Sequence, residues 1–209
     1  MALGLLIALF FSIRPARRAG HLLLSMEGIT MTLIFITVVI TFITLLTVGG
    51  PQGQSVDFSE FSLSGVSTGA LGLAMTFAIL STAGFEGAAA AGEETRNPTR
   101  NIPLAILATA VLVNVFYILV TAVGVWSFGT STSEMQAFVN SASLPGDMAD
   151  TYVSTALGDL ITLGGAVSSL ACMIAAQIAG GRVMFAIGRD GVLPSRLGRQ
   201  SPRWSTPVL

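Results

Sequence analysis

The stretch that decides the fold is LSTAGFEGAAAAGEETRNPTRNIP, residues 80–103. Apolar sequence runs into it for a membrane thickness and meets a single carboxylate, Glu86, among small residues. It then breaks into Glu93, Glu94, Arg96, Asn97, Pro98 and Arg100. What that lone acid means depends on the solvent around it. Hydrophobic residues make up 52% of the 209-residue chain and charged residues only 10%. Soluble domains carry about 25% charged residues, so this chain has too few to cover a water-facing surface. It reads as an all-α membrane protein.

Hydrocarbon about 30 Å thick needs a helix of about 20 apolar residues. Working outward from the opening stretch, the uncharged runs Gly28–Val48, Val66–Phe85 and Leu104–Phe128 and a longer apolar run from Ala156 predict spans over about residues 20–48, 66–92, 102–128 and 156–188. Pro103 is expected at the start of the third of these, where a missing N–H needs no partner. Residues 1–13, MALGLLIALFFSI, reach only about 20 Å and read as a partial span whose start lies upstream. The SPRWSTPVL end stops as another apolar run begins. The whole is expected to be one partial membrane domain, 1–209, of a longer chain.

All ten basic residues are arginine. Arg14, Arg17 and Arg18 precede the span at 20–48, and Arg96 and Arg100 separate those at 66–92 and 102–128. Arg182, Arg189, Arg196, Arg199 and Arg203 cluster at the end. The other two loops, Gly49–Ser64 and Gly129–Thr155, have no basic residue and carry Asp57, Glu60, Glu134, Asp147 and Asp150. The positive-inside rule therefore places the arginine loops in the cytoplasm.

An ionised carboxylate at mid-bilayer costs several kcal/mol, so Glu86 should face a bundle interior or a wet cavity. Its neighbours Ser81, Thr82, Gly84, Gly87 and Gly92 are small, and glycine is a poor helix former. Two structures fit this composition. One is an interrupted helix whose freed backbone groups line a cavity. The other is an unbroken helix that packs closely through Gly and Ala.

The segment Gly84–Ile106, GFEGAAAAGEETRNPTRNIPLAI, resembles the sixth-helix signature of the amino acid–polyamine–organocation (APC) permeases. Gly180–Pro194, GGRVMFAIGRDGVLP, resembles the end of their eighth helix. The resemblance covers nearly the whole chain, from the end of helix four to helix eight. It implies part of a LeuT-like helix bundle with an interrupted sixth helix, and secondary-active amino acid transport by alternating access. Carried onto this chain, it implies substrate binding at Ser81, Thr82, Ala83, Gly84 and Phe85, with Glu86 as a gating or proton-responsive acid. Hydroxyls at Ser168 and Ser169 correspond to a possible ion site, against the alternative of serines that bond back to their own helix.

The implied partners are an amino acid substrate, the lipid bilayer, expected to be the cell membrane, and the missing helices of the full-length permease. Coupling to H+ or Na+ stays open. No cofactor, metal site, nucleic-acid partner or enzyme chemistry is expected: no Ser/His/Asp set or HExxH motif occurs, and His21 is the only histidine. A channel or a non-transporting scaffold subunit is the alternative class, although a channel's repeat of pore-lining polar positions is not visible. Trp126 and Phe128 read as interfacial anchors, and Asn114 as the donor of an interhelical hydrogen bond. Glu93, Glu94, Arg96 and Arg100 read either as ion pairs of an inner gate or as a solvated connector.

Overall fold

The computed structural model describes residues 16–84, 95–192, 194 and 198, with side chains described from Leu24 onward. Six α-helices follow in order: α1 (Ala16–Thr47), α2 (Thr68–Thr82), α3 (Pro98–Phe128), α4 (Thr132–Asn140), α5 (Leu144–Tyr152) and α6 (Thr155–Arg189). A 3-10 turn, Phe58–Phe61, sits between α1 and α2. No strand occurs among the described residues. Leu24–Thr47, Pro98–Phe128 and Thr155–Arg189 are long and apolar enough to cross a membrane.

Of the expected span 66–92, residues 85–92 lie outside the described residues. Among the described residues it is helical only over the 15 residues Thr68–Thr82, a rise of about 22 Å that falls short of the hydrocarbon thickness. The partial span 1–13 lies outside the described residues. The expected start of the next span is also corrected, because α3 begins at Pro98 and holds Pro103 inside its second turn. Pro98 is the better first residue, since Asn97 before it adopts the left-handed conformation at φ 53, which Asn tolerates better than most residues. The Asn97 carbonyl accepts from the Arg100 and Asn101 N–H groups at 3.1 and 3.0 Å, and the Asn101 side chain donates back to the Arg96 carbonyl. The helix therefore starts five residues before Pro103, which costs it one ladder bond.

The chain divides into two compact units. One comprises Met1–Glu27, Gly84–Ala108 and Ala166–Leu209, and the other Gly28–Ala83 and Thr109–Gly165. The second unit has a hydrophobic core of Val38 and Leu45 from α1, Val120, Val123 and Trp126 from α3, and Met148 from α5. In the first unit Ile174 of α6 is buried, and the helix ends with Arg189 beside Asp190 and over the ring of Phe185.

Loops hold the second unit's core closed. Trp126, 5% exposed, stacks on Phe42 at 5.9 Å and takes Phe58 and Phe61 edge-on at 5.1 and 5.2 Å. Its indole N–H donates to the Asp57 carbonyl at 2.9 Å. It is thus the centre of an aromatic core and not an interfacial anchor, because the 3-10 turn folds over it and supplies the acceptor a buried indole needs. The last carbonyls of a helix lack intrahelical donors. At the end of α3, Tyr152 Oη donates to the Ser127 carbonyl at 2.8 Å and Gln54 Nε2 to that of Phe128 at 3.4 Å. Gly50 belongs to the same closure, since a Cβ there would lie 2.7 Å from Tyr152 Oη.

The segment Gly129–Thr155, expected as a loop, contains α4 and α5. Ser131 and Glu134 form a reciprocal capping box at the start of α4, and Ser143 with an early proline starts α5. A Cβ at Gly158 would lie 2.7 Å from the Gly146 carbonyl, so bare backbone on both sides lets α5 cross the start of α6. The Ser131 bonds hold the Glu134 carboxyl below its usual range, and those from Ser59 do the same for Asp57. Glu60 is pushed up, chiefly by burial, with Thr130 opposing and the Asp57 charge assisting.

Two predictions follow from this closure. Trp126→Ala should destabilise the second unit by about 3–5 kcal/mol and Tyr152→Phe by about 0.5–1.5 kcal/mol, measured as shifts in thermal unfolding in lipid. Because the folded-state pKa of Glu134 is depressed, its contribution is present above the ordinary glutamate range and is lost as pH falls through the depressed value. The Ser131 and Glu134 amide NMR shifts should move to fraying positions over that acid range, and Glu134→Gln should abolish the titration.

Candidate functional site

The site predicted from sequence sits where α2 stops. Ser67 starts the helix, its hydroxyl accepting from the Ala70 N–H at 3.1 Å. The residues that follow are apolar enough to continue, yet the ladder ends at Thr82. The Ala83 N–H reaches only three residues back, to the Leu80 carbonyl at 3.2 Å. Ala83 itself is extended, at φ −62 and ψ 146, and Gly84 has φ +117, a region that L side chains rarely adopt.

Ser81 and Thr82 spend their hydroxyls on this ending. Ser81 Oγ donates to the Phe77 carbonyl at 2.8 Å and Thr82 Oγ1 to the Ile79 carbonyl at 2.9 Å. Ser81 thus bonds back into its own helix, while Thr82 meets the terminal Ile79 carbonyl. The Ser81 and Thr82 carbonyls end the helix, at the terminus where the aligned peptide dipoles leave partial negative charge. This arrangement favours a cation or a hydrogen-bond donor over an anion. Four predicted residues, Ser81, Thr82, Ala83 and Gly84, are thus brought together in one backbone break. Phe85 and Glu86 lie outside the described residues, as do Glu93 and Glu94, on which the expected ion pairs with Arg96 and Arg100 depend.

Ser168 and Ser169 lie on α6, a helix continuous from Thr155 to Arg189. Ser168 is half-buried and Ser169 exposed, and Ser169 has an interaction partner. Asn114 donates to the Ala110 carbonyl of its own helix at 2.8 Å, where an interhelical bond was expected. No group of three or more His, Cys, Asp and Glu placed to hold a metal occurs among the described residues.

Sequence reasoning missed the α3 terminus as a polar junction. Its signals were the Ser131–Glu134 spacing and the aromatic residues flanking Asp57, both readable as caps.

Helices of membrane length and a helix that ends inside an apolar segment define a multi-pass integral membrane protein of all-α architecture. The chain belongs to the amino acid permease family, whose family model matches residues 1–209. It is 25% identical over 203 residues to the branched-chain amino acid permease BcaP of Bacillus subtilis, covering 96% of this chain and 39% of that protein. It is 28% identical over 210 residues to the vacuolar cationic amino acid transporter 4 of Arabidopsis thaliana, covering 97% of this chain and 32% of the relative. Identity to the methylthioribose transporter of Bacillus subtilis is 29% over 196 residues, covering 93% and 38%. The chain thus spans about a third to two fifths of these relatives' length. The family and these relatives are transporters, not enzymes. No solved structure matches the chain.

A Cβ at Gly84 would meet nothing within 4 Å, so the demand on this residue is conformational and not steric. Gly84→Ala should cost about 1–2 kcal/mol, seen as a lower unfolding midpoint. Gly72→Ala, inside α2 with equally open space, should stabilise the helix slightly or leave it unchanged.

Proposed function

We propose that this chain is part of a secondary-active amino acid transporter working by alternating access, and that the end of α2 is its substrate-binding break. The observation that carries this reading is the stop at Thr82, followed by extended Ala83 and positive-φ Gly84 within an apolar segment. Backbone leaves the helical state at membrane depth only where protein or a wet cavity satisfies it. The negative end of α2 suits the ammonium group common to amino acids. Phe85 is a further substrate-binding residue, and Glu86 acts as the gating or proton-responsive acid. Recognition through main-chain carbonyls selects the shared part of an amino acid and leaves the side chain to other elements.

Helices that the longer relatives have beyond the matched region complete the bundle, and the cell membrane holds it with its arginine loops in the cytoplasm. Ser168 and Ser169 are the candidate cation ligands if sodium drives uptake, and Glu86 is the candidate proton carrier if protons do.

The test uses the full-length protein in proteoliposomes, with radiolabelled amino acids in competition under imposed proton or sodium gradients. Uptake should be gradient-driven and should fall at least tenfold in Gly84→Ala at unchanged membrane abundance. Glu86→Gln should flatten the pH profile. Gradient-independent flux, or flux that does not saturate, would favour a channel.

A further inference from the structure

Polar side chains on these helices divide into those that their own helix can satisfy and those that it cannot. On α1, Thr32, Thr44 and Thr47 donate to the carbonyls of Gly28, Ile40 and Ile43, four residues back, at 2.7, 2.9 and 2.8 Å. Thr76 and Ser81 on α2 do the same. A hydroxyl closed in this way needs nothing from outside its helix. Asn114, near the middle of α3, is different. One N–H of its amide donates to the Ala110 carbonyl at 2.8 Å, but a carboxamide carries two N–H groups and an accepting oxygen. That oxygen finds no donor on its own helix, whose backbone N–H groups are already spent in the ladder.

Asn114 begins a stripe. Tyr117 and Thr121 follow at i+3 and i+7, on the same side of the helix, and all three side chains are exposed. Tyr117 lies about 4.5 Å along the axis from Asn114, well inside hydrocarbon that extends about 15 Å either side of the midplane. Its phenol stands too far from the backbone to bond back as a threonine does. The other faces of α3 differ from this one. Val120, Val123, Gly124 and Ser127 are buried, whereas Val111, Val115 and Ile118 are exposed and wholly apolar. Lipid suits the apolar face. Against the stripe it would leave an amide oxygen and a phenol without hydrogen bonds, a cost that polar side chains in membranes avoid by pairing.

We propose that the Asn114–Tyr117–Thr121 stripe is the docking surface for a transmembrane helix of the longer chain, outside residues 1–209, that brings polar side chains to it. The chain spans about a third to two fifths of its relatives' length, which leaves ample sequence for such a helix. The partner carries a donor opposite the Asn114 oxygen and an acceptor opposite the Tyr117 hydroxyl, so serine, threonine, asparagine or glutamine at helical spacing meets both needs. The stripe is a single row, flanked by half-buried Val113 and buried Val120 on one side and by Ile118 on the other. A water-filled channel would wet those apolar flanks, whereas a packed helix covers them together with the row. The proposal takes from the transport reading only the further helices of the longer chain, and its test reads packing and not uptake, so either can fail alone.

The test uses the full-length protein in lipid nanodiscs at one copy per disc, with its native cysteines replaced, Cys172 among them, and one nitroxide-labelled cysteine at a time. Labels at Asn114→Cys, Tyr117→Cys and Thr121→Cys should collide rarely with both lipid-dissolved oxygen and a water-soluble nickel chelate. Labels at Val111→Cys, Val115→Cys and Ile118→Cys should collide often with oxygen alone. A high oxygen rate along the stripe would overturn the proposal by placing it in lipid, and a high nickel rate by placing it in water. Protection seen only in discs that hold two copies would overturn it by assigning the surface to a second copy. A label disturbs the contact it reports, so unlabelled Asn114→Leu supplies a second reading. It should lower the unfolding midpoint by the equivalent of about a three- to tenfold loss in folded population, while Val115→Leu leaves it unchanged. An unchanged or raised midpoint in Asn114→Leu would also count against the partner helix, since leucine facing lipid is at least as stable as an unpaired amide.

Discussion

Lipid offers no hydrogen bonds, and that constraint organises every described element. An unpaired backbone group in hydrocarbon costs several kcal/mol, so a helix that ends within an apolar segment must end on something. The ends of α2 and α3 answer this demand differently. At α3, side chains from outside the helix, Tyr152 and Gln54, donate to the terminal carbonyls of Ser127 and Phe128. At α2, Ser81 and Thr82 turn their hydroxyls back to Phe77 and Ile79. An ending closed by distant side chains is built to stay shut. Among the described residues, the end of α2 shows no such donor from a distant side chain, which is the contrast the proposed binding role draws on.

The contrast extends to packing. Trp126, Val123 and Val120 near the end of α3 are buried, and the aromatic rings of the 3-10 turn fold over the indole. Along α2 no residue is buried within the described structure. A helix with neither a buried face nor external caps gains little from the elements described here. Its position is set by its two connections, the turn before Ser67 and the break at Ala83–Gly84. The second unit thus combines a well-packed body with a weakly held arm, and the arm carries the predicted site.

Much of this was legible in the sequence, and particular residues show where legibility stopped. That the runs within α1, α3 and α6 are helical was legible, because a membrane-length apolar run admits little other than a helix. The break at Ser81–Gly84 was visible as one of two readings, since small residues permit both interruption and close packing. Local composition does not distinguish them; the described helix stops at Thr82 and Gly84 has φ +117, while residues 85–94, where a helix would resume, lie outside the described residues. The helix start at Pro98 was misplaced to Pro103 because either proline can open a helix. The choice fell to Asn97, whose left-handed turn supplies the cap one residue upstream. Trp126 was read by its position near a helix end, while its burial depends on Phe58 and Phe61, about seventy residues away in sequence. Long-range closure of that kind leaves no local trace.

A membrane helix can be polar for two unlike reasons, and α1 holds both. Thr32, Thr44 and Thr47 are polar in name only, since a back-bonded hydroxyl presents its methyl to the surroundings and behaves as a small apolar residue. Thr37 and Thr41 are polar in energy, because their hydroxyls are enclosed and unpaired. Composition counts all five alike, so a scale of apolar character judges whether α1 inserts but not where it is frustrated. Thr37 and Thr41 lie on a face that packs, which the half-buried Thr44 shares, while Thr32 and Thr47 are exposed. In α1 the two unpaired hydroxyls lie on the buried side with Val38 and Leu45, which belong to the hydrophobic core.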